Sequence, residues 1–212
     1  MSPRPATAHL RRPEILAAAR EVIRERGVNG TRIADVAERV GTSPPAVLYY
    51  FESKVELLRE ALTDVEDRFY AELQSELTRI PSARDRLVWL VESTVDSGDY
   101  DAVLWIELWP QALRNEELAA TREALDRRWR GAIAEIIHEG QQRGEFAGGD
   151  PDELARLIAS LLDGLLIQVA LEDSEVSSTR AEELCLAVLE RELGCAFTQP
   201  ASSLANFPSG GY

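Results

Sequence analysis

Apolar residues recur at helical spacing from near the start of the chain. Ile15, Leu16, Ala19, Val22 and Ile23 share one face of a segment from Glu14 to Arg26. Pro13 sits just inside its start and Gly27 just past its end, the asymmetry expected of a helix. Thr31 is the predicted N-cap of a second helix, whose buried stripe is Ile33, Val36, Ala37 and Val40. Gly41 then permits a positive φ. Ser43 is the predicted cap of a third helix reaching about Phe51, with Pro44 and Pro45 in its first turn, where proline is tolerated. Ser53 followed by Glu56 predicts a capping box opening a fourth.

Beyond Phe51 the period stays near 3.6, and no strand pattern emerges. Breaks are predicted at Pro81, Gly98, the Trp109-Pro110 step, Gly144 and Gly148-Gly149. A helix over 53–80 would be about 42 Å long at ~1.5 Å per residue. Its stripe is Leu58, Leu62, Val65, Phe69, Leu73 and Leu77. That length makes it a mechanical connection between the first three helices and the rest. Further helices are predicted over 82–97, 100–113 and 115–143. Asp150-Pro151-Asp152-Glu153 opens another, reaching Leu171, and Thr179 with Glu182 caps a last one to Leu193. Residues 195–212 are rich in Ser, Pro and Gly and are expected to be disordered. The fold class is all-α, with a basic arm (1–12), a three-helix domain (13–52) and a helical bundle (53–194).

Two short helices joined by a tight turn, the second opening on small polar residues, follow the helix-turn-helix plan. Thr42, Ser43, Pro45 and Ala46 are small enough to let the third helix enter a major groove, with Tyr49 beside them. Tyr49 and Lys54 also suit phosphate oxygens. On spacing alone a plain helical hairpin with two core tyrosines is the alternative. The stretch Gly41-Thr42-Ser43-Pro44-Pro45-Ala46-Val47-Leu48-Tyr49-Tyr50-Phe51, then Ser53-Lys54 with Leu57 and Leu58, resembles the DNA-binding domain of the TetR/AcrR transcriptional regulators. Upstream Gly27, Thr31, Ile33, Val36 and Ala37 match as well. Leu48, Tyr50 and Glu52 depart from the residues common there, and Glu52 puts a negative charge near the expected DNA backbone. The resemblance implies double-stranded DNA as partner, with Thr31, Arg32, Tyr50 and Lys54 gripping phosphates.

Charge adds a second line. Up to Phe51 eight arginines face five acids, a net of +3, whereas the whole chain is −14 and the remainder therefore −17. A basic cap on an acidic body turns the cap toward DNA. Arg4, Arg11 and Arg12 could reach phosphate or a minor groove, or be disordered. No 18-residue apolar run and no leader-like h-region occur, so no membrane partner is expected. Two cysteines, Cys185 and Cys195, make no disulfide framework, and a cytoplasmic location suits both.

The segments 151–171 and 179–193 are apolar on more than one side, through Leu154, Leu157, Leu161 and Leu165, then Leu184 and Val188. Such helices are either the centre of a bundle or a contact with a second subunit. The resemblance favours the contact, since TetR-like regulators form homodimers through their last two helices. Two recognition helices about 34–36 Å apart then read a palindromic operator.

All four tryptophans, Trp89, Trp105, Trp109 and Trp129, lie in the middle helices, where each is either ordinary core or the wall of an effector pocket. Glu107 has apolar neighbours on every helical side. A buried carboxylate needs a cation, a donor or a proton. An arginine partner would satisfy it, and so would a cationic effector held with tryptophan faces. Trp89, Glu92 and Asp96 share one stripe and could add to such a pocket or form a wet surface. The Leu104–Trp109 run and Leu162-Asp163-Gly164-Leu165 resemble the betaine/choline-pathway repressor branch, which implies a small cationic effector.

Enzyme chemistry finds no support. His9 and His138 are the only histidines, no Gly-rich phosphate loop follows a strand, and no Cys or His pair has metal spacing. No catalytic residue, metal or cofactor is expected. The sequence thus predicts a ligand-responsive DNA-binding repressor, with a protein-binding helical adaptor as the alternative.

Overall fold

A computed structural model describes residues 12–96 and 100–197. The greater part of the expected basic arm and the tail from residue 198 lie outside the described residues. Within them the chain forms only helices: α1 (Arg12–Gly30), α2 (Ile33–Val40), α3 (Pro44–Tyr50), α4 (Lys54–Arg79), α5 (Ala83–Val95), α6 (Tyr100–Ala112), α7 (Glu116–Gln142), α8 (Pro151–Ala170) and α9 (Ser178–Leu193).

Most helix starts follow from their caps. The Ser53 hydroxyl accepts the Glu56 amide at 3.1 Å, and Asp150 Oδ1 accepts the amides of Asp152 and Glu153. Asn115 Oδ1 accepts from Leu118 at 3.0 Å. Three starts differ from expectation. Glu56 reaches back to the Glu52 amide, at 2.5 Å, one residue beyond the capping-box position. The cap of α2 is Arg32, whose amide donates to Asp35 Oδ2 at 3.1 Å, because Thr31 is only 1 % exposed and its hydroxyl is turned to the Gly27 carbonyl at 2.7 Å. The last helix begins two residues early, on Ser177, whose hydroxyl accepts the Arg180 amide. At the expected Trp109-Pro110 break, α6 instead runs on through Pro110 to Ala112.

Two apolar cores organise these helices. The first, under α1 to α3, holds Ile15, Ala19, Val22, Val36, Val47 and Phe51. It extends past residue 52 into Leu57, Leu58 and Leu62 of α4, and it takes Leu108 from α6 and Leu118 from α7. The second fills the bundle with Leu73, Leu87, Leu90, Ile133, Ile137, Ile158, Leu162, Cys185 and Leu189. On α4 the expected stripe is buried except at Phe69, which is half-buried. The head is also pinned to α4 electrostatically. Arg12 pairs with Glu60 and lies 4.6 Å from the centre of the Phe51 ring, and Arg20 pairs with Asp64.

Gly41 ends α2 in the left-handed region (φ 74°), and its amide and that of Thr42 turn back to Glu38 and Ala37. A Cβ at Gly41 would meet nothing within 4 Å. Gly41→Ala therefore incurs only the conformational cost of a left-handed residue, about 1–2 kcal/mol. A urea unfolding curve should show that loss, and a much larger one would mean that the turn is packed.

Candidate nucleic-acid interface and effector cavity

The α2–α3 turn presents a small-residue edge. Ser43 caps α3 with extended backbone, and Pro44 and Pro45 fill the first turn, so neither loses a helix hydrogen bond. Ser43, Pro44 and Pro45 are exposed, and Thr42 and Ala46 are half-buried. Tyr49 is 84 % exposed, and its ring stands edge-on to that of Tyr50, 5.4 Å away. Leu48, given no role from sequence, is exposed beside them. Tyr50 is half-buried, and its carbonyl accepts from Arg12 at 3.1 Å.

The expected basic cap is mostly neutralised internally. Arg12, Arg20, Arg26 and Arg39 all pair with carboxylates, the last with both Glu21 and Glu25. Arg32 is exposed, and among the described residues its guanidinium has no carboxylate partner. Lys54 is half-buried, with Nζ donating to the Asn29 carbonyl at 3.3 Å, and desolvation lowers its pKa. Thr31 leaves the set of phosphate contacts, since its side chain is buried.

Behind the head lies a cavity of about 120 Å³. Its walls come from five helices: Val65, Glu66 and Phe69 of α4, Thr94 of α5, Trp105, Ile106 and Trp109 of α6, Leu125, Asp126 and Trp129 of α7, and Asp163, Leu166 and Ile167 of α8. Phe69 and Trp129 meet edge to face at 5.8 Å. Three carboxylates therefore share a space walled by three indoles and a phenyl ring. Glu66 is 7 % exposed. Burial raises the Asp126 pKa, against the pull of Arg122, which pairs with it. Asp163 is pushed up to about 6, chiefly by burial and then by Asp126, with Arg122 and Arg130 opposing.

Of the expected pocket residues, Trp105, Trp109 and Trp129 line this cavity, and the other four do not. Trp89 packs partly buried against the bundle core. Glu92 and Asp96 belong to a different face of α5, where Glu92 is half-buried near Glu182 of α9 and its pKa is raised by burial and by those two acids. Thr94 is the α5 residue at the cavity. Glu107 points away from it and accepts the Val28 amide. Among the described residues a backbone donor, and not an arginine, meets this carboxylate. The acids that do line the cavity, Glu66, Asp126 and Asp163, were missed. Asp163 carried a usable signal, as a lone acid between Leu161, Leu162, Leu165 and Leu166.

On the expected subunit contact, Leu157 is 44 % exposed, and Leu154, Leu161, Leu184 and Val188 are half-buried. Leu165 is buried within the protomer and belongs to its own core.

Comparison with known proteins places both parts of the chain. Residues 15–61 match the pattern of the bacterial regulatory proteins of the tetR family, and residues 83–194 that of the BetI-type transcriptional repressor C-terminal domain. The HTH-type transcriptional regulator BetI of Escherichia coli K12 is 26 % identical over 180 residues, covering 82 % of this chain and 90 % of its own. A transcriptional regulator from Saccharomonospora viridis, solved in complex with choline, is 32 % identical, with a TM-score of 0.79 over 86 % of this chain and 96 % of its own. A TetR-family regulator from Rhodococcus is 30 % identical, with a TM-score of 0.75 over 85 % of this chain and 96 % of its own.

Asp163 supplies a test that needs no ligand. Its folded pKa lies above the ordinary carboxylate value, so the folded state binds the proton more tightly than the unfolded one. The ionised carboxylate therefore costs stability above about pH 6, and the cost disappears as pH falls below about 4. Asp163→Asn should be more stable than wild type at pH 7, on the order of 1–2 kcal/mol after solvent screening, and equal to it near pH 4. A variant less stable at pH 7 would show that the carboxylate is compensated.

Proposed function

The chain belongs to the tetR family of bacterial regulatory proteins and carries a BetI-type repressor C-terminal domain, and from that premise we propose that its cavity takes a small organic cation whose binding releases the head from a palindromic operator. It is a ligand-responsive, DNA-binding transcriptional repressor and not an enzyme, which removes the adaptor alternative. Among the described residues no helix is long and apolar enough to cross a membrane.

One observation carries the cation reading: three carboxylates, Glu66 buried and Asp126 and Asp163 half-buried, line a mostly apolar cavity walled by tryptophans. Removing a carboxylate from water costs several kcal/mol unless a counter-charge accompanies it. An ammonium group restores that charge, and indole faces add about 0.5–2 kcal/mol each by cation–π attraction. Asp163 is the anionic group, and Trp105, Trp109 and Trp129 are the walls. The choline bound to the Saccharomonospora viridis regulator supports a compact quaternary ammonium as the ligand class. An anionic ligand would meet repulsion from the same groups.

At the head, Thr42, Ser43, Pro45, Ala46 and Tyr49 meet base edges, while Arg32, Tyr50 and Lys54 meet phosphates. Lys54 exchanges its bond to the Asn29 carbonyl for a phosphate oxygen, a stronger acceptor. Two copies join through α8 and α9, covering Leu154, Leu157, Leu161, Leu184 and Val188, and so space the two α3 helices for a palindrome.

Choline chloride added to the full-length protein should change its tryptophan fluorescence saturably. Asp163→Asn should weaken that binding about tenfold, equivalent to ~1.4 kcal/mol. Wild-type affinity should fall as pH drops below about 6, because protonation of Asp163 removes the counter-charge. A pH-independent, unsaturable response would end the cation reading. At the head, Lys54→Ala should weaken binding to all duplexes alike and reduce the salt slope by about one. An unchanged slope would remove Lys54 from the phosphate contacts.

A further inference from the structure

Helix α6 serves two neighbours from two faces. Trp105, Ile106 and Trp109 line the cavity. Glu107 and Gln111, four residues apart and so on one stripe, both reach the break in α1. There Gly27 leaves the helical region, with φ 69° and ψ 169°, and the chain resumes in a short turn ending at Gly30. Such a break strands amide donors that the preceding turn no longer satisfies. A Glu107 oxygen accepts the Val28 amide, and Gln111 Nε2 donates to Asn29 Oδ1 at 2.8 Å. Lys54, the first residue of α4, adds its bond to the Asn29 carbonyl.

The fit at Gly27 is close. A Cβ there would stand 2.7 Å and 2.9 Å from the two Glu107 oxygens, so the carboxylate occupies the space a side chain would need. Among the described residues no arginine or lysine pairs with Glu107. Its negative charge is instead directed at a backbone donor, a charge-assisted bond roughly twice as strong as a neutral one. Pro110 lies between the two contacting residues and has no amide to donate to Ile106, which loosens the last turn of α6 just where cavity and head are both touched.

We propose that the Glu107 carboxylate and the Gly27–Val28 backbone form a latch through which α6 holds the DNA-binding head, so that a cation seated on the opposite face of α6 shifts the head through this contact. The trigger rests on the cation reading; the latch itself does not. Glu107 is thus a positioning residue. It touches neither ligand nor duplex, and it sets how far occupancy of one reaches the other.

The test uses full-length wild type, Glu107→Ala and Glu107→Gln, with choline chloride as ligand and a duplex recovered by selection on genomic fragments. Without ligand, the Val28 amide should exchange with solvent at least tenfold faster in Glu107→Ala, while the amides of Leu87 and Ile133 in the bundle core stay as in wild type. Choline affinity read by tryptophan fluorescence should stay within about twofold, but the factor by which saturating choline weakens duplex binding should collapse toward one. Glu107→Gln keeps an oxygen acceptor and should recover most of both effects, which also covers the case in which the alanine variant does not fold. Equal Val28 exchange in wild type and both variants overturns the latch, as does a full choline response in Glu107→Ala. Should choline fail to bind wild type at all, the cation reading fails alone, and the latch is then decided by Val28 exchange and by duplex affinity, which should change at least fivefold in Glu107→Ala.

Discussion

Residues 105–111 must satisfy two environments at once, and much of the architecture follows from that constraint. Their apolar side chains are divided between two bodies, and of residues 105–111 only Leu108 is fully buried. Leu108 enters the core of the head, while Trp105 and Trp109 wall the cavity. The helix therefore cannot belong to either body alone. Leu108 and the cavity residues Trp105 and Trp109 thus share one helix, the placement on which the proposed coupling rests.

Charge is distributed to the same end. The arginines of the head are largely spent on α4 and on neighbouring acids, as in Arg12–Glu60 and Arg20–Asp64. These pairs fix the head to the long helix, and they leave few cations for phosphate. A chain of net charge −14 then approaches DNA with a small, local set of contacts, so a modest displacement of the head can remove a large share of them. In the cavity the opposite holds. Glu66 is buried and Asp163 half-buried, and burial raises the Asp163 pKa against the pull of Arg122 and Arg130, so such a site disfavours an anionic ligand.

The fold was legible in the sequence because it rests on local signals. Helix periodicity, Gly27, Gly41, Ser53 and the Asp150-Pro151 start each report on a few neighbouring residues, and each lies where expected. The misplacements are local competitions: Thr31 prefers the Gly27 carbonyl to capping, and Ser177 outcompetes Thr179. The cavity was legible in its tryptophans and, more faintly, in Asp163. Its acids come from α4, α7 and α8, and no sequence spacing relates helices that meet only in the folded chain. Glu107 is recognisable as a carboxylate needing a partner, but the direction of a side chain on a helix with apolar residues on most sides cannot be read from periodicity. Its partner is a backbone amide 79 residues away.

The central claim is that the cavity and the head share one free energy, and linkage makes this reciprocal: whatever factor the ligand costs the duplex, the duplex must cost the ligand. Calorimetric titration of choline into the free protein, and into the protein saturated with its selected duplex, measures it directly. The account predicts weaker choline binding to the DNA-bound protein, by the same factor that choline imposes on duplex affinity. Identical choline affinity in the two titrations would contradict it.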